Sequence, residues 1–332
     1  RTETLNPGTF QNLAPQDAVQ DEFDMFPEHY ELPPLDLLKP SPKAKATISR
    51  EEVLETSADL ERTLSEFGIE ATVEEVVQGP VVTRYELKPA PGVKVSRIAG
   101  LEREIAMALL AETVRIQAPI PGKGAIGVEI PNKITTAVFL REILAADEFQ
   151  NHKSPLAFGL GKDITGQPMV CDLAEMPHLL IAGATGAGKS VCLNSIIISL
   201  LMRMPPDQVK FIMVDPKRVE LSNYQDIPHL LAPVVVDARK AAGALNWVVQ
   251  HMEHRYEQLQ RMHVRNIGAF NQALREALDN GKALPEEARG LEPMPYIVVI
   301  VDELADLMLV ARSEVEESIQ RLAQMARAVG IH

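Results

Sequence analysis

Eight consecutive residues, Gly183-Ala184-Thr185-Gly186-Ala187-Gly188-Lys189-Ser190, fit the spacing GxxxxGK[ST]. In that pattern glycines let backbone N–H groups curl round phosphates, the lysine reaches the β and γ oxygens, and the serine hydroxyl ligates Mg2+. Context raises the specificity. The loop follows an apolar, strand-like run at 179–182 and opens a helical pattern through Val191, Leu193, Ile196, Ile197 and Leu200, whose positive end points at the phosphates. These eight residues and Val191 are the expected nucleotide contacts, with ATP as ligand and Mg2+ as metal.

A second set of residues completes the chemistry. Ile297-Val298-Val299-Ile300-Val301 reads as a buried strand delivering Asp302 at its carboxyl end, where the carboxylate can hold Mg2+ together with Ser190. Glu303 follows directly and is placed to orient or deprotonate an attacking water, a task that belongs to hydrolysis. Lys189, Asp302 and Glu303 are therefore the expected catalytic group. Asp215-Pro216-Lys217-Arg218 puts two cations past another strand end, with a phosphate or DNA role and a solvated loop equally open.

The elements that must position these residues are strands alternating with helices. Apolar runs at 178–182, 211–214, 233–236 and 296–301 are continuous rather than alternating, the mark of a mostly parallel sheet covered on both faces. The fold class expected for 151–332 is α/β. Residues 47–150 predict a smaller α+β domain: a helix capped by Ser49 and Glu52 with Val53, Leu60, Leu64 and Phe67 on one face, and a hairpin of 72–77 and 81–87 around Gln78-Gly79-Pro80. A helix over 101–113, strands over 114–118 and 126–130, and a helix over 136–145 follow. Residues 1–46, with seven prolines and an acidic cluster at Asp21, Glu22 and Asp24, read as a flexible linker.

Composition narrows the function. The 332 residues carry a formal charge of -13, which argues against a surface broadly coated for nucleic acid and confines any DNA contact to loops or a channel. No run of 18 apolar residues occurs, Arg1 stands first, and Cys171 and Cys192 form no CxxC pair, so a soluble, reduced fragment of a longer protein is expected.

Several other residues invite a functional reading and meet a plainer one. His251 and His254 flank Glu253 without the HExxH spacing of a zinc site. Arg255, Arg261 and Arg265 recur along one helix among Glu253 and Glu257, which favours a solvated or intersubunit face over a DNA stripe. Arg321 and Arg327 are weak candidates for an arginine finger. Trp247, with Leu245, Val248 and Val249, reads as a buried helical stripe. An LSGGQ-like signature is missing between the phosphate loop and Asp302, and Asn132-Lys133-Ile134-Thr135 lacks the aspartate of a guanine-reading NKxD.

Longer strings carry a resemblance. Tyr30-Glu31-Leu32-Pro33-Pro34-Leu35, Met176-Pro177-His178-Leu179-Leu180-Ile181-Ala182 running into the phosphate loop, Asp215-Pro216-Lys217, Ile227-Pro228-His229-Leu230-Leu231, Val301-Asp302-Glu303 with Ala305-Asp306-Leu307-Met308, and the closing 321–332 are similar to the FtsK/SpoIIIE DNA translocases of bacterial division and sporulation. The resemblance implies an α domain to about residue 150, then a RecA-like P-loop NTPase β domain, assembling as a homo-hexamer that pumps double-stranded DNA. It further implies a membrane anchor before Arg1, in the bacterial inner membrane with the motor on the cytoplasmic side. The family pattern continues past His332, so its polar sensor, trans-acting arginine, pore residues and winged-helix domain are expected beyond this chain. Two alternatives remain open: an ATPase of a related conjugative or secretion motor, and a nucleotide-binding module without translocation.

Overall fold

The computed structural model describes residues 30–42, 48–280 and 284–332. Most of the segment expected to be a linker therefore lies outside the described residues. The chain divides into two compact units, one comprising Leu35–His152 with Gly159–Cys171, the other Lys153–Phe158 with Asp172–His332 and the short stretch up to Pro34.

In the first unit α1 (Arg50–Glu66) starts where the Ser49 hydroxyl accepts the Glu52 amide at 3.1 Å, while the Glu52 carboxylate turns to Lys133 at 2.9 Å, so only half of the expected capping box forms. Leu60 and Leu64 are fully buried, but Phe67 is the C-cap and is exposed. Strands β1 (Ala71–Gln78) and β2 (Val82–Pro89) form the expected antiparallel hairpin. Next come α2 (Val95–Ala99), α3 (Glu102–Ala108), β3 (Arg115–Gln117), β4 (Ile126–Pro131), α4 (Leu140–Leu144) and α5 (Asp147–Gln150), with the sheet ordered β1-β2-β4-β3. One face of that sheet packs Tyr85, Leu87, Ile126 and Val128 against Leu60, Leu64, Ile98 and Ile105.

Two helices are shorter than the sequence predicts, each for a visible reason. After α3 the Leu110 backbone turns left-handed (φ 53) and the Ala111 amide bonds back to Ala106 O at 2.9 Å, closing the helix well before Thr113. Ahead of α4 the Thr136 amide bonds to Pro80 O at 2.8 Å, and the helix starts only at Leu140, where the Glu142 carboxylate reaches back to accept the Phe139 amide at 3.3 Å.

Strands β5 (Ala157–Lys162) and β6 (Pro168–Asp172) pair with each other. The second unit then runs through α6 (Lys189–Leu201), β7 (Val209–Val214), α7 (Ala238–Arg261), α8 (Ile267–Asn280), β8 (Tyr296–Val301), α9 (Leu304–Val310) and α10 (Arg312–Met325). Strands β7 and β8 pair in parallel, Val209 opposite Tyr296 through Val214 opposite Val301. Single parallel bridges extend the sheet, from β7 to Leu230 and Val235 and from β8 to Ile331. Ile212, Val214 and Ile297 pack with Val235, Leu245, Val248, Phe270 and Leu307 in a continuous core.

The expected strand at 233–236 contracts to the bridge at Val235, since Pro233 has no N–H to donate to a ladder. The expected strand at 178–182 is a second correction. Among the described residues it has no ladder partner, and Leu179 and Leu180 are exposed, so an apolar run suited to a buried strand lies as coil. No helix of the described residues is long and apolar enough to cross a membrane.

The edge of β8 depends on Gly330. Its φ of 71 and the Ile331 amide bonding back to Ala326 O at 3.1 Å turn the chain into register with Ile297, and an added Cβ would lie 2.5 Å from Ile267 Cδ1. Gly330→Ala is expected to destabilise the chain by about 2 kcal/mol through left-handed strain plus overpacking, read as a lowered midpoint in urea unfolding.

Candidate functional site

The phosphate-type loop lies on the surface. Residues 182–187 are exposed, Gly186 and Gly188 take φ of 83 and 99, and a Cβ on Gly183 would come within 3.0 Å of the Ala187 Cβ. Those left-handed positions admit glycine at no steric cost and let successive amides face one concave side. Gly188 is the N-cap of α6 and offers no side chain to the amides of the first turn, where Lys189, Ser190 and Val191 sit. The helix is held by Ile196, Ile197, Leu200 and Leu201 in the interior, while Val191 is exposed. Asn194 Nδ2 donates to Ser190 O at 2.9 Å and Tyr224 hydrogen-bonds Asn194, fixing the turn that presents Ser190.

The end of β8 meets this loop. Lys189 Nζ donates to Asp302 O at 2.9 Å and lies 3.3 Å from Asp302 Oδ1 and 3.6 Å from Glu303 Oε2. Asp302 is buried, and its Oδ1 has no aligned hydrogen-bond donor despite the nearby ammonium. The three residues expected to do catalysis are thus brought together. Of the loop residues, Lys189 is the one that reaches Asp302 with its side chain among the described hydrogen bonds and ion pairs.

The neighbouring strand adds a second cation. Asp215, fully buried at the end of β7, accepts the Leu221 amide on Oδ2 at 2.9 Å, while its own carbonyl accepts the Arg218 amide at 3.2 Å. These bonds tie down the loop carrying Lys217, whose Nζ lies 3.3 Å from Glu303 Oε2 and 3.7 Å from Asp306 Oδ2. The hydrogen bond from Lys217, with the charge of Lys189 behind it, holds the Glu303 carboxyl below its ordinary range, so it is ionised at neutral pH. Asp306 was not singled out by its type. Its signal is spacing, three residues beyond Glu303 on the start of α9.

This donor set fits Mg2+ and a nucleotide. Magnesium is usually held by one or two carboxylates and hydroxyls together with phosphate and water, and Asp302 keeps one buried oxygen without a hydrogen-bond donor, 3.3 Å from the lysine that precedes Ser190.

Other candidates fall elsewhere. Arg255 is a correction: instead of lining a solvated face it is buried, donating from Nη1 to Val329 O at 2.9 Å, because that side of α7 packs on the segment after α10. Arg261 and Arg265 are exposed. Arg321 pairs with Glu253, and Arg327 is exposed. Trp247 is half-buried and stacks on His251 with ring centroids 4.9 Å apart, and burial pushes that imidazole down to about 3. His254 faces Glu257 at 3.6 Å.

With this geometry in place, comparison with known proteins is decisive. The FtsK/SpoIIIE family model matches residues 139–332, and the FtsK alpha domain model matches 32–132. The chain belongs to the FtsK/SpoIIIE family. Its α/β P-loop class follows from that membership. Similar curated relatives include the DNA translocase FtsK of Clostridium tetani, 51% identical over 304 residues, covering 91% of this chain and 39% of the relative. The DNA translocase FtsK of Haemophilus influenzae is 50% identical over 312 residues, with 91% and 59% covered. The chain thus spans less than two thirds of the length of these relatives. Among solved structures, the pCW3 conjugation coupling protein TcpA, in monomer form with ATPgS, is similar at 20% identity and TM-score 0.47, covering 84% of this chain and 75% of that one. The cytoplasmic domain of the Thermomonospora curvata Type VII secretion ATPase EccC follows at 23% and 0.46, covering 58% and 24%.

Because Lys189 is the residue shared between loop and strand end, Lys189→Ala in this FtsK/SpoIIIE chain should weaken binding of a slowly hydrolysed ATP analogue at least tenfold, in fluorescence titration. Its partly accessible ammonium implies a melting temperature changed by only a few degrees without nucleotide.

Proposed function

We propose that this chain is the ATP-hydrolysing part of a motor that moves double-stranded DNA. The observation that carries the reading is the meeting of Lys189 with both Asp302 and Glu303 at the carboxyl edge of the β7–β8 sheet, on a chain of a family whose relatives are named DNA translocases. In this reading the amides of Gly183, Ala184, Thr185, Gly186, Ala187, Gly188, Lys189, Ser190 and Val191 cradle the phosphates of ATP. Lys189 leaves the carboxylates for the β and γ oxygens. Ser190 and Asp302 hold Mg2+, which supplies charge neutralisation on those oxygens. Glu303, already ionised, accepts a hydrogen bond from the attacking water and aligns it with the γ-phosphorus.

The finer parts of the proposal rest on family membership. Residues 47–150 and 151–332 act as the α and β domains, and hydrolysis drives movement between them. The assembled form is a homo-hexamer round the duplex, held to the bacterial inner membrane by a segment outside this chain and serving chromosome segregation. A formal charge of -13 supports contact with DNA through local loops rather than a whole face.

The test is ATP turnover and triplex displacement by the intact protein, with Glu303→Gln as control. Turnover stimulated by duplex DNA, displacement of the third strand, and a loss of turnover of about a hundredfold or more in the variant with binding retained are expected. Turnover without displacement would transfer the chain to the conjugative or secretion motors, and analogue binding without turnover would leave only a nucleotide-binding module.

A further inference from the structure

We propose that Lys217 is a positioning residue for Glu303, holding the water-orienting carboxylate in place once Lys189 has been drawn to the nucleotide. The inference rests on the proposed function and deepens it. Glu303 Oε2 has two cations near it, Lys217 at 3.3 Å and Lys189 at 3.6 Å. Only the first is free of other duties, because the lysine of a phosphate loop is required at the β and γ oxygens. When it moves there, Lys217 is the cation left at Glu303. Its own carrier is fixed: buried Asp215 accepts the Leu221 amide and the Arg218 amide bonds to Asp215 O, so the turn bearing Lys217 is tied at both ends to the end of β7. Asp306, 3.7 Å from the ammonium, restrains it from the other side.

The pair is half exposed, with Lys217 53% and Glu303 32% accessible, so it adds little to stability. Its effect is geometric. A carboxylate engaged by Lys217 through Oε2 is held at one place at the strand end, and a displaced general base loses rate steeply with distance. Two other assignments of Lys217 make different demands. A lysine that contacts phosphates of the nucleotide would set affinity, and one that contacts the duplex would set DNA stimulation.

The experiment measures ATP turnover with and without duplex DNA, the affinity for a slowly hydrolysed ATP analogue, and thermal melting, for the unaltered protein, Lys217→Ala, Lys217→Arg and Glu303→Gln. The expected result for Lys217→Ala is a kcat lowered by about ten- to a hundredfold, equally with and without DNA. KM, analogue affinity and melting temperature should stay unchanged, with part of the kcat restored by Lys217→Arg. An unchanged kcat, an affinity that falls with it, or a loss confined to DNA-stimulated turnover would each overturn the inference. If Glu303→Gln turns over normally, the role of Glu303 fails and this proposal fails with it. If Glu303→Gln is inactive while Lys217→Ala is not, only the proposal fails.

Discussion

The geometry of the site depends on one contact between residues 113 positions apart, the hydrogen bond from Lys189 Nζ to Asp302 O. Lys189 is the first residue of α6 and Asp302 the first after β8, so the bond fixes the beginning of a helix to the end of a strand. An ammonium between a buried carboxylate and a half-buried one is sustained because each neutralises part of the other's cost of leaving water. The same balance makes it exchangeable, since the phosphates of a nucleotide offer Lys189 more charge than Asp302 and Glu303 do.

The parallel ladder sets what surrounds that contact. Val214 opposite Val301 puts Asp215 beside Asp302, and the Asp302 amide bonds to Val214 O at 3.0 Å, so both strands release their carboxylates at one edge. From there the roles diverge. Asp215 turns inward to tie its own loop, while Asp302 and Glu303 face the lysines.

The sequence made legible what local chemistry decides. Glycines 186 and 188 are required where the backbone is left-handed, and the run 296–301 is a strand to the residue because a ladder partner of equal length lies beside it. What escaped was set by partners distant in sequence. The run 179–182 is as apolar as β8 yet has no ladder among the described residues, and apolarity cannot report a neighbour. Leu110 and His263 end helices in left-handed conformations where glycine or asparagine is the usual sign. Arg255 looked solvated by its charged neighbours, but the Val329 carbonyl that receives it lies 74 residues away. Spacing shows Lys217 as a cation at a strand end, while its partner Glu303 lies 86 residues on and is brought to it only by the fold.

The most direct test of this account is a crystal structure of the chain with Mg2+ and a slowly hydrolysed ATP analogue. The account predicts that Lys189 Nζ has left Asp302 O for the phosphates, that Asp302 Oδ1 has gained a partner, and that Lys217 still lies within 4 Å of Glu303. A bound analogue with Lys189 still on the strand-end carboxylates would contradict it.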